Sequence, residues 1–241
     1  MKKLIDILSW DSDFLGVKVA KTNITDGIVE NINEIMSFIS ENEVSLIYHF
    51  QDPLNKKDIF SLNDHGFLIT DEKVILKKKI EKKHEIRSVN HSITEFSKDT
   101  DNINELYEIN KLVSEISRYA YDARINPDKT KELYRLWIYN GINNGFCDRT
   151  FIYKIKDKIV GFIMMKFKGK DANISLIGVD IQYRRMHIGS DLIDYVVEYL
   201  RDYDFENLYV DTQFRNVKGL NLYLSKKFVI DSTILVYHKW M

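Results

Sequence analysis

Apolar residues recur along this chain at two spacings, one typical of helices and one typical of strands, and the two alternate. In the first third, three isoleucines and a methionine fall at helical spacing and predict a helix over residues 31–41. A shorter helix is predicted over residues 57–64. Three runs rich in β-branched and aromatic residues predict strands, at 17–24, 44–50 and 73–79. These elements predict a small α/β unit.

The remainder of the chain predicts two helices followed by a region rich in strands. The helices cover residues 101–113 and 127–144, and Pro127 suits the first turn of the second. Lys156-Asp157-Lys158 is a short polar connection between two strand-like runs, typical of an antiparallel hairpin. Strands are predicted at 150–155, 159–167, 173–179, 207–212 and 233–239, with helices at 190–201 and 217–226. The predicted order is α α β β β α β α β.

A charged segment, residues 77–83, separates these two regions. It has too few apolar residues to be buried on its own, so a crossover between domains is predicted there. The boundary is placed near residue 85, giving an N-terminal α/β domain of residues 1–85 and a C-terminal domain of residues 86–241. The fold class predicted is therefore α/β. The terminal strand would pair with a second chain, forming a homodimer, if it lies at a sheet edge.

Two pairs of aromatic residues recur at one offset along the chain. Tyr48 and Tyr209 lie 161 positions apart, and so do Phe67 and Phe228. The predicted strand, helix and strand around each pair also repeat. The N-terminal domain is therefore either a partial copy of the C-terminal half or a chance match to it.

The composition is that of a folded protein without an unusual partner class. Hydrophobic residues make up 44% and charged residues 29%, and the formal net charge is -1, so no nucleic-acid partner is expected. The single cysteine, Cys147, cannot form an intramolecular disulfide, and the histidines show no metal-ligand spacing. We therefore expect no metal, no membrane span and a cytoplasmic location.

The segment after the predicted strand 173–179 has features of an anion-binding site. A loop leads from this strand to a helix that starts at Gly189-Ser190, and unpaired backbone N–H groups converge at such a start. Arg184 and Arg185 add positive charge to it. From these residues alone, a pyrophosphate site and an ordinary tight turn with surface arginines are equally compatible with the pattern.

Two motifs carry a resemblance to the GNAT superfamily of N-acetyltransferases. The run from Arg184 to Gly189 resembles the family's Gln/Arg-x-x-Gly-x-Gly/Ala motif, with His187 in place of the first glycine. The second motif, Thr212-Gln213-x-x-Asn216, continues to Leu222-Tyr223 and then to Lys227-Phe228, where the family usually has Gly-Phe. The resemblance covers residues 86–241. It implies a mixed sheet with flanking helices, and acetyl-CoA as co-substrate.

The resemblance also implies roles for individual residues. Tyr223 would donate a proton or hydrogen bond to the departing CoA thiolate, either with an ordinary or with a depressed pKa. Asn216 would contact the cofactor arm, with a helix N-cap role as the alternative. The arm would pair with the central strand and the pyrophosphate with the loop, through Ile177, Gly178, Val179, Arg184, Arg185, Met186, His187, Ile188, Gly189 and Ser190.

Within the superfamily, the chain resembles the TDP-fucosamine acetyltransferase group, which acetylates a nucleotide-linked amino-dideoxy sugar. The likeness is carried by Trp10-Asp11-Ser12-x-Phe14-x-Gly16, by Ser117-Arg118-Tyr119-x-x-Asp122 and by Leu133-Tyr134-x-x-Trp137-Ile138. It implies a role in polysaccharide biosynthesis. Arg118 would pair with a diphosphate and aromatic rings would stack on base or sugar. The predicted acceptor site comprises Trp10, Phe14, Arg118, Tyr119 and Gln213, with Trp137 in the core.

Other acceptors fit the same resemblance. A protein N-terminus or a small amine such as a polyamine would need the same acetyl donor, and a cationic amine would favour an acidic cleft. A non-catalytic CoA-binding module is a further alternative, against which the intact Asn216 and Tyr223 argue. The arginines near the motifs favour an anionic acceptor.

Overall fold

One mixed sheet of ten strands runs through the computed structural model, which describes residues 3–82 and 92–241. The strands are β1 (Ile5–Ile7), β2 (Val19–Thr22), β3 (Leu46–Gln51), β4 (Leu68–Lys79), β5 (Ile93–Glu95), β6 (Arg149–Ile155), β7 (Lys158–Lys168), β8 (Asp171–Val179), β9 (Asn207–Gln213) and β10 (Val229–Trp240). Their order across the sheet is β1-β2-β3-β10-β4-β9-β8-β7-β6-β5. Mixed α/β architecture, as predicted, is confirmed.

Helices cover both faces of this sheet. They are α1 (Ser9–Leu15), α2 (Ile28–Glu41), α3 (Lys56–Asp64), α4 (Ile103–Ser114), α5 (Arg118–Tyr121), α6 (Pro127–Asn143), α7 (Ile188–Asp202) and α8 (Val217–Ser225). On β7, Ile163 packs in the core with α7 while its neighbour Phe162 packs with α4 and α6. Successive strand residues point to opposite faces, so α7 and α4 lie on opposite sides of the sheet.

The predicted helices and strands are confirmed, with ends that move by a few residues. Helix α7 buries the stripe of six apolar residues that its spacing indicated, Ile188, Leu192, Ile193, Val196, Val197 and Leu200. Pro127 occupies the first turn of α6, after a cap by Asn126. In the β6–β7 turn, Lys156 and Asp157 both have positive φ, as a two-residue hairpin of this kind requires.

The two halves of the chain exchange strands at the centre of the sheet. Strand β4, from the first half, lies between β9 and β10, whereas β10, from the second half, lies between β3 and β4. Lys77–Lys79 were predicted to begin a crossover, but they form the end of β4. Their side chains are accommodated because Lys77 lies 5.2 Å over the Tyr209 ring and Lys78 Nζ donates to the Lys226 carbonyl. The predicted boundary near residue 85 lies outside the described residues.

Strand register repeats between the halves with the offset of 161 residues. His49 is paired with Tyr237, and adding 161 to 49 and subtracting it from 237 gives the pair Val210 and Leu76, which is also observed. The extra residues at the two irregularities of the β4–β10 ladder, Thr70 and Asp231, are again 161 apart. This agreement supports duplication over a chance match of aromatics.

The helix start of the N-terminal copy is capped by a carboxylate from within the chain. Helix α2 begins after Gly27, which has a left-handed backbone. Asp58 Oδ2 accepts from Gly27 N at 2.7 Å and Asp58 Oδ1 accepts from Val29 N at 3.1 Å. Asp58 is buried and lies 161 positions before Gly219 in α8. Amides of the kind that bind external anions are thus satisfied internally.

Two further findings bear on predicted partners. Strand β10 is paired on both sides, so the pairing of two chains through an exposed terminal edge is not available to it. Within the described ranges, no helix is long and apolar enough to cross a membrane.

Replacing Asp58 by alanine should lower the free energy of unfolding by about 3 kcal/mol, because the partly buried amides of Gly27 and Val29 lose a charged acceptor. Urea denaturation measures this change. Glu34→Ala is the matched control, since Glu34 is an exposed carboxylate on α2 and its removal should change the free energy by less than about 0.5 kcal/mol. Equal effects of the two substitutions would contradict the capping role.

Candidate active site

Strands β8 and β9 part in the middle of the sheet. They pair in parallel only from Asp171 to Ile174 on β8, against 207–210 on β9, and diverge beyond. On the far side of β8, Asp180 N donates to Val160 O, which fixes the alternation of the antiparallel β7–β8 ladder. Ile177 and Val179 are then the residues whose backbone N–H and C=O groups point away from β7. These groups face the opening between the strands.

A cleft of about 880 Å³ fills this opening and continues across the sheet. At one end it is lined by the C-terminal half of β8 and the start of α7, with Gly178, Arg184 and Gly189. At the other end its lining comes from β4, β10, β3 and the helices α5 and α6. The cleft therefore joins the strand opening to a second chamber formed by both halves of the chain.

The loop between β8 and α7 is held by Asp180. Asp180 Oδ1 accepts from Gln182 N at 3.0 Å, and Asp180 Oδ2 lies 2.9 Å from Lys158 Nζ. Arg184 lines the cleft, and its Nε lies 3.4 Å from the Val179 carbonyl. The loop is thus fixed before α7 begins, and the free amides of α7 are presented at the cleft.

The backbone conformation of His187 explains how a histidine can replace the glycine of the family motif. It caps α7 with φ of 63°, the left-handed region that glycine adopts without strain. Histidine is among the residues that are enriched there when glycine is absent. The position thus keeps the glycine conformation with a side chain on it. Arg185 also has positive φ, at 66°.

The other predicted loop residues occupy different environments. The Ile188 side chain, at the start of α7, is buried in the core beside β7, so only its backbone is available to a ligand. Met186 is exposed, and Ser190 lies in the first turn of α7. A β-carbon on Gly178 would lie 2.8 Å from Ile109 Cγ2, which makes this glycine a packing requirement for α4. The predicted cofactor contacts of these residues stay predictions.

Asn216 and Tyr223 both line the cleft from α8 and the turn before it. Asn216 is the N-cap of α8, because Asn216 Oδ1 accepts from Gly219 N at 3.1 Å, and its amide donates to Thr212 Oγ1 at 2.9 Å. The alternative role considered for Asn216 is therefore present, and its contact with a cofactor stays a prediction. Tyr223 is only 4% exposed and packs on Phe228.

Burial raises the pKa of Tyr223 above its ordinary value. Burial thus opposes a depressed pKa and favours the hydrogen-bonding alternative for Tyr223, and the choice between the two stays a prediction. A phenol with a raised pKa is a poor source of a free proton near neutral pH. The protonated phenol of Tyr223 can still donate a hydrogen bond.

Arg118 is held at the second chamber by aromatic rings. Its guanidinium carbon lies 4.2 Å from the centroid of the Tyr48 ring, 4.5 Å from that of Tyr119 and 5.4 Å from that of Phe50. Arg118 Nη2 donates to Tyr119 Oη at 2.7 Å. Within the described part of the chain, Nη1 is buried without a hydrogen-bond partner. Arg118 thus faces the cleft with one nitrogen unpaired.

The Ser-Arg-Tyr-x-x-Asp motif positions this arginine. Ser117 caps the short helix α5 by accepting from Ala120 N at 3.2 Å. Asp122 ends it, and Asp122 Oδ2 accepts from His238 Nδ1 at 2.6 Å and from Trp240 Nε1 at 2.8 Å. Burial lowers the pKa of His238, although its hydrogen bond to Asp122 opposes this. α5 is therefore fastened to β10.

The remaining predicted acceptor residues divide into two groups. Tyr119 and Gln213 line the cleft with Arg118. Trp10 and Phe14 stack on each other at 5.2 Å, with Phe14 packed in the core beside Tyr119, and Trp10 is 47% exposed. Their contact with an acceptor stays a prediction. Trp137, expected in the core, is instead 38% exposed and lines the cleft, because that face of α6 forms its wall.

Several charged residues of the cleft were missed by the sequence motifs, among them the pair formed by Asp71 and Arg215. Asp71 on β4 is 3% exposed, and its Oδ1 lies 3.3 Å from Arg215 Nη2. Arg215 stacks on Tyr121 with its guanidinium carbon 3.7 Å from the ring centroid. Asp71 lies just before the strand predicted at 73–79, so no local pattern marked it as a cleft residue. No metal-binding group of three or more His, Cys, Asp or Glu is found among residues 3–82 and 92–241.

The model of the acetyltransferase (GNAT) family matches residues 106–228, which is just over half of the chain. Among curated proteins, the spore coat polysaccharide biosynthesis protein SpsD of Bacillus subtilis (strain 168) is 22% identical over 124 residues. That match covers 52% of this chain and 43% of SpsD, so it extends over less than half the length of the relative.

Solved structures share the fold over nearly the whole chain. A GCN5-related N-acetyltransferase from Sphaerobacter thermophilus has a TM-score of 0.67 at 13% identity, covering 98% of this chain and 76% of that one. A conserved protein of unknown function from Staphylococcus epidermidis has a TM-score of 0.63 at 15% identity, with 93% and 84% covered. A tandem GNAT protein from the clavulanic acid biosynthesis pathway reaches 0.55 at 9% identity, with 93% and 76% covered.

Substitutions at His187 should show the left-handed conformation directly. His187→Gly should be more stable than His187→Ala by about 1 kcal/mol, because only alanine keeps a β-carbon in that conformation. Urea denaturation of both variants measures the difference. At Ser190, in the first turn of α7, the order should reverse by a similar amount, since alanine is the better helix former. Greater stability of His187→Ala would contradict the left-handed backbone.

Proposed function

Since this chain belongs to the GNAT acetyltransferase family, we propose that it acetylates the amino group of a nucleotide-linked (TDP or UDP) amino-dideoxy sugar, with acetyl-CoA as donor. The family uses acetyl-CoA as co-substrate, and acetyl-CoA supplies an activated thioester. The finer proposal concerns the acceptor and the residues that handle it. It is supported by the charges of the second chamber.

The residues at the strand opening suit acetyl-CoA. The outward amides and carbonyls of Ile177 and Val179 lack a neighbouring strand and can pair with the amides of a pantetheine arm. The amides at the start of α7, with Arg184 beside them, suit the pyrophosphate. In this arrangement the Val179 N–H would stabilise the thioester oxygen as charge develops.

Tyr223 is proposed to donate a hydrogen bond to the departing sulfur. Tyr223 lines the cleft from α8. Because its pKa is raised, the phenol keeps its proton and stabilises the thiolate by hydrogen bonding. Full protonation of the thiolate would then be completed from solvent.

One observation carries the choice of acceptor. Arg118 Nη1 is buried at the cleft, and no hydrogen-bond partner for it exists among the described residues. An unpaired buried guanidinium nitrogen favours a ligand with negative charge, and a phosphate or diphosphate suits its geometry. The rings of Tyr119 and Trp137 in the same lining offer faces for a base or sugar. The distant relative SpsD is a spore coat polysaccharide biosynthesis protein, which agrees with this chemistry.

A small cationic amine is the second candidate. Glu115 and Asp211 line the cleft in addition to Asp71. Asp211 lies 2.5 Å from Lys73 Nζ, so its charge is already balanced. This pairing weakens the case for a polycation, whereas a protein N-terminus has no specific observation in its favour.

An acceptor screen tests the proposal. Release of free thiol from acetyl-CoA should be fastest with TDP- or UDP-linked amino sugars and slow with polyamines and peptides. Arg118→Gln should lower kcat/KM for the nucleotide sugar by about 10²-fold, because a buried charge-assisted contact worth about 1.5–3 kcal/mol is lost.

The matched control is Arg135→Gln. Arg135 forms a surface pair with Glu132, and such pairs contribute little. Turnover should be unchanged in that variant. Activity confined to peptides or polyamines would overturn the nucleotide-sugar proposal, and so would an Arg118→Gln variant with unchanged kcat/KM.

Tyr223→Phe should lower kcat by about 10²-fold while leaving the dissociation constant of acetyl-CoA within about threefold, since one transition-state donor is removed. The rate of thiol release at saturating substrate concentrations gives kcat, and calorimetric titration gives the dissociation constant. Tyr195→Phe is the control, because Tyr195 lies on α7 and packs against Phe151 on β6. A Tyr223→Phe enzyme with unchanged kcat would remove the proposed donor.

A further inference from the structure

We propose that Asp71 is the carboxylate that binds the acceptor's amino group and removes its proton before attack on the thioester. This inference rests on the proposed transfer to an amine in the same cleft. It adds the general base that neither family motif supplies. Four features of the residue support it: its place in the sheet, its burial, its free oxygen and its charged neighbours.

Asp71 lines the cleft from β4, in the middle of the sheet. It is on β4, which neighbours β9, and Lys73 two residues further along is paired with Gln213. Asp71 and Lys73 both line the cleft, so they share the face of β4 that looks onto it. Arg118 lines the chamber beyond. An acceptor whose anionic part reaches Arg118 would therefore place its sugar near Asp71 and its amino group toward the strand opening.

A local irregularity of the ladder directs Asp71. It is paired with Val236, whereas the next pair along β10 joins Tyr237 to Ile69, so Thr70 is an extra residue. Such bulges bend a strand and re-aim the side chain beside them, and they occur frequently next to active sites. The Thr70 carbonyl accepts from Arg215 Nη2 at 2.7 Å. Arg215 is thus fixed by the backbone rather than by the carboxylate.

One buried oxygen of Asp71 has no hydrogen-bond donor among the described residues. Asp71 Oδ1 lies 3.3 Å from Arg215 Nη2, but without hydrogen-bond geometry, and it has no hydrogen bond to any residue in the described ranges. A buried carboxylate oxygen without a donor is costly, so a structural ion pair would be expected to close around it. An ammonium group in the cleft would supply the missing donor.

The charges facing Asp71 suit a base rather than a permanent anion. Arg215 on the turn before α8 and Arg118 on α5 favour its ionised form, whereas Glu72 on its own strand opposes it, and Tyr134 on α6 is a neutral neighbour. Burial outweighs the two arginines and raises the pKa of Asp71. A carboxylate with a raised pKa is a stronger proton acceptor than an exposed one.

The proton and electron balance is complete without another reactant. Asp71 takes one proton from the acceptor's ammonium group, which frees the nitrogen lone pair. The nitrogen–carbon bond forms and the carbon–sulfur bond breaks, with the thiolate hydrogen-bonded by Tyr223. The amide nitrogen loses its second proton to solvent, Asp71 releases its own, and the thiolate takes one up. The products are the N-acetyl acceptor and CoA thiol.

Asp71→Asn tests the role through its pH dependence. Near pH 7, kcat/KM should fall by about 10²-fold or more, because base catalysis is lost. The ratio of wild-type to variant activity should then shrink as the pH rises toward about 9, where the acceptor is a free amine without help. The wild-type rate should rise with pH through the pKa of Asp71, as its ionised form appears, and that limb should be missing in the variant.

Glu72→Gln is the matched control. It removes one negative charge from the adjacent position on the opposite face of β4. Its activity near pH 7 should stay close to the wild type, and the rising limb of its pH profile should remain, moved to lower pH because a neighbouring negative charge is lost. Acetyl-CoA titration and urea unfolding of Asp71→Asn check that the cofactor site and fold persist. A loss of equal size at every pH would indicate that Asp71 only holds Arg215, and unchanged activity would overturn its role altogether.

The test separates this inference from the proposed acceptor. It uses the amine that is turned over fastest in the acceptor screen, whichever class that is. If nucleotide sugars are inert and another amine is acetylated, the proposed acceptor is wrong. The pH profiles of the wild type and Asp71→Asn with that amine still test the base assignment. If nucleotide sugars are acetylated and Asp71→Asn keeps the wild-type profile, the base assignment alone is wrong.

Discussion

The pairing of β4 with β10 is the interaction on which the rest of the molecule depends. Each of these long strands comes from one half of the chain and lies inside the ladder of the other. Their register is centred on the pair formed by Lys73 and Ile234, which are themselves 161 positions apart. Neither half has a complete sheet without the other. The floor of the cleft is therefore continuous, with residues of both copies side by side.

Unpaired backbone groups concentrate at one point of this sheet. β8 and β9 separate beyond Ile174, which leaves the outward groups of Ile177 and Val179 without a strand. Helix α7 begins at the end of the same loop, with His187 in a conformation that favours glycine. Such groups are costly when buried and inexpensive when a ligand or water satisfies them. Helices α7 and α4 pack on the two faces of the sheet beside these groups.

Local patterns were sufficient to predict most elements of this fold. The apolar stripe of α7 and the polar Lys156-Asp157 turn are encoded by neighbouring residues, so their spacing predicted them. The motif around Asn216 and Tyr223 likewise lies within one turn and helix. These features need no knowledge of distant contacts.

Contacts between distant segments could not be predicted in this way. Nothing near Lys77 in sequence indicates that β4 enters the other half, because its partners β9 and β10 lie far along the chain. Asp71 and Arg215 approach each other only through that exchange, so the second chamber had no local signature. Trp137 was assigned to the core for the same reason, since the face of α6 that borders the cleft depends on where α5 and β10 lie.

Asp58 makes the start of α2, in the N-terminal copy, different from the start of α7 in the C-terminal copy. Its carboxylate holds the amides of Gly27 and Val29, and Asp52 N donates to Thr25 O where the C-terminal copy is open. A tethered carboxylate acts at a high effective concentration, which free phosphate in solution does not match. The amides at the start of α2 are therefore always bound by a carboxylate of the same chain. Ligand-dependent stabilisation is thereby left to the second copy, whose helix start still depends on what the solution provides.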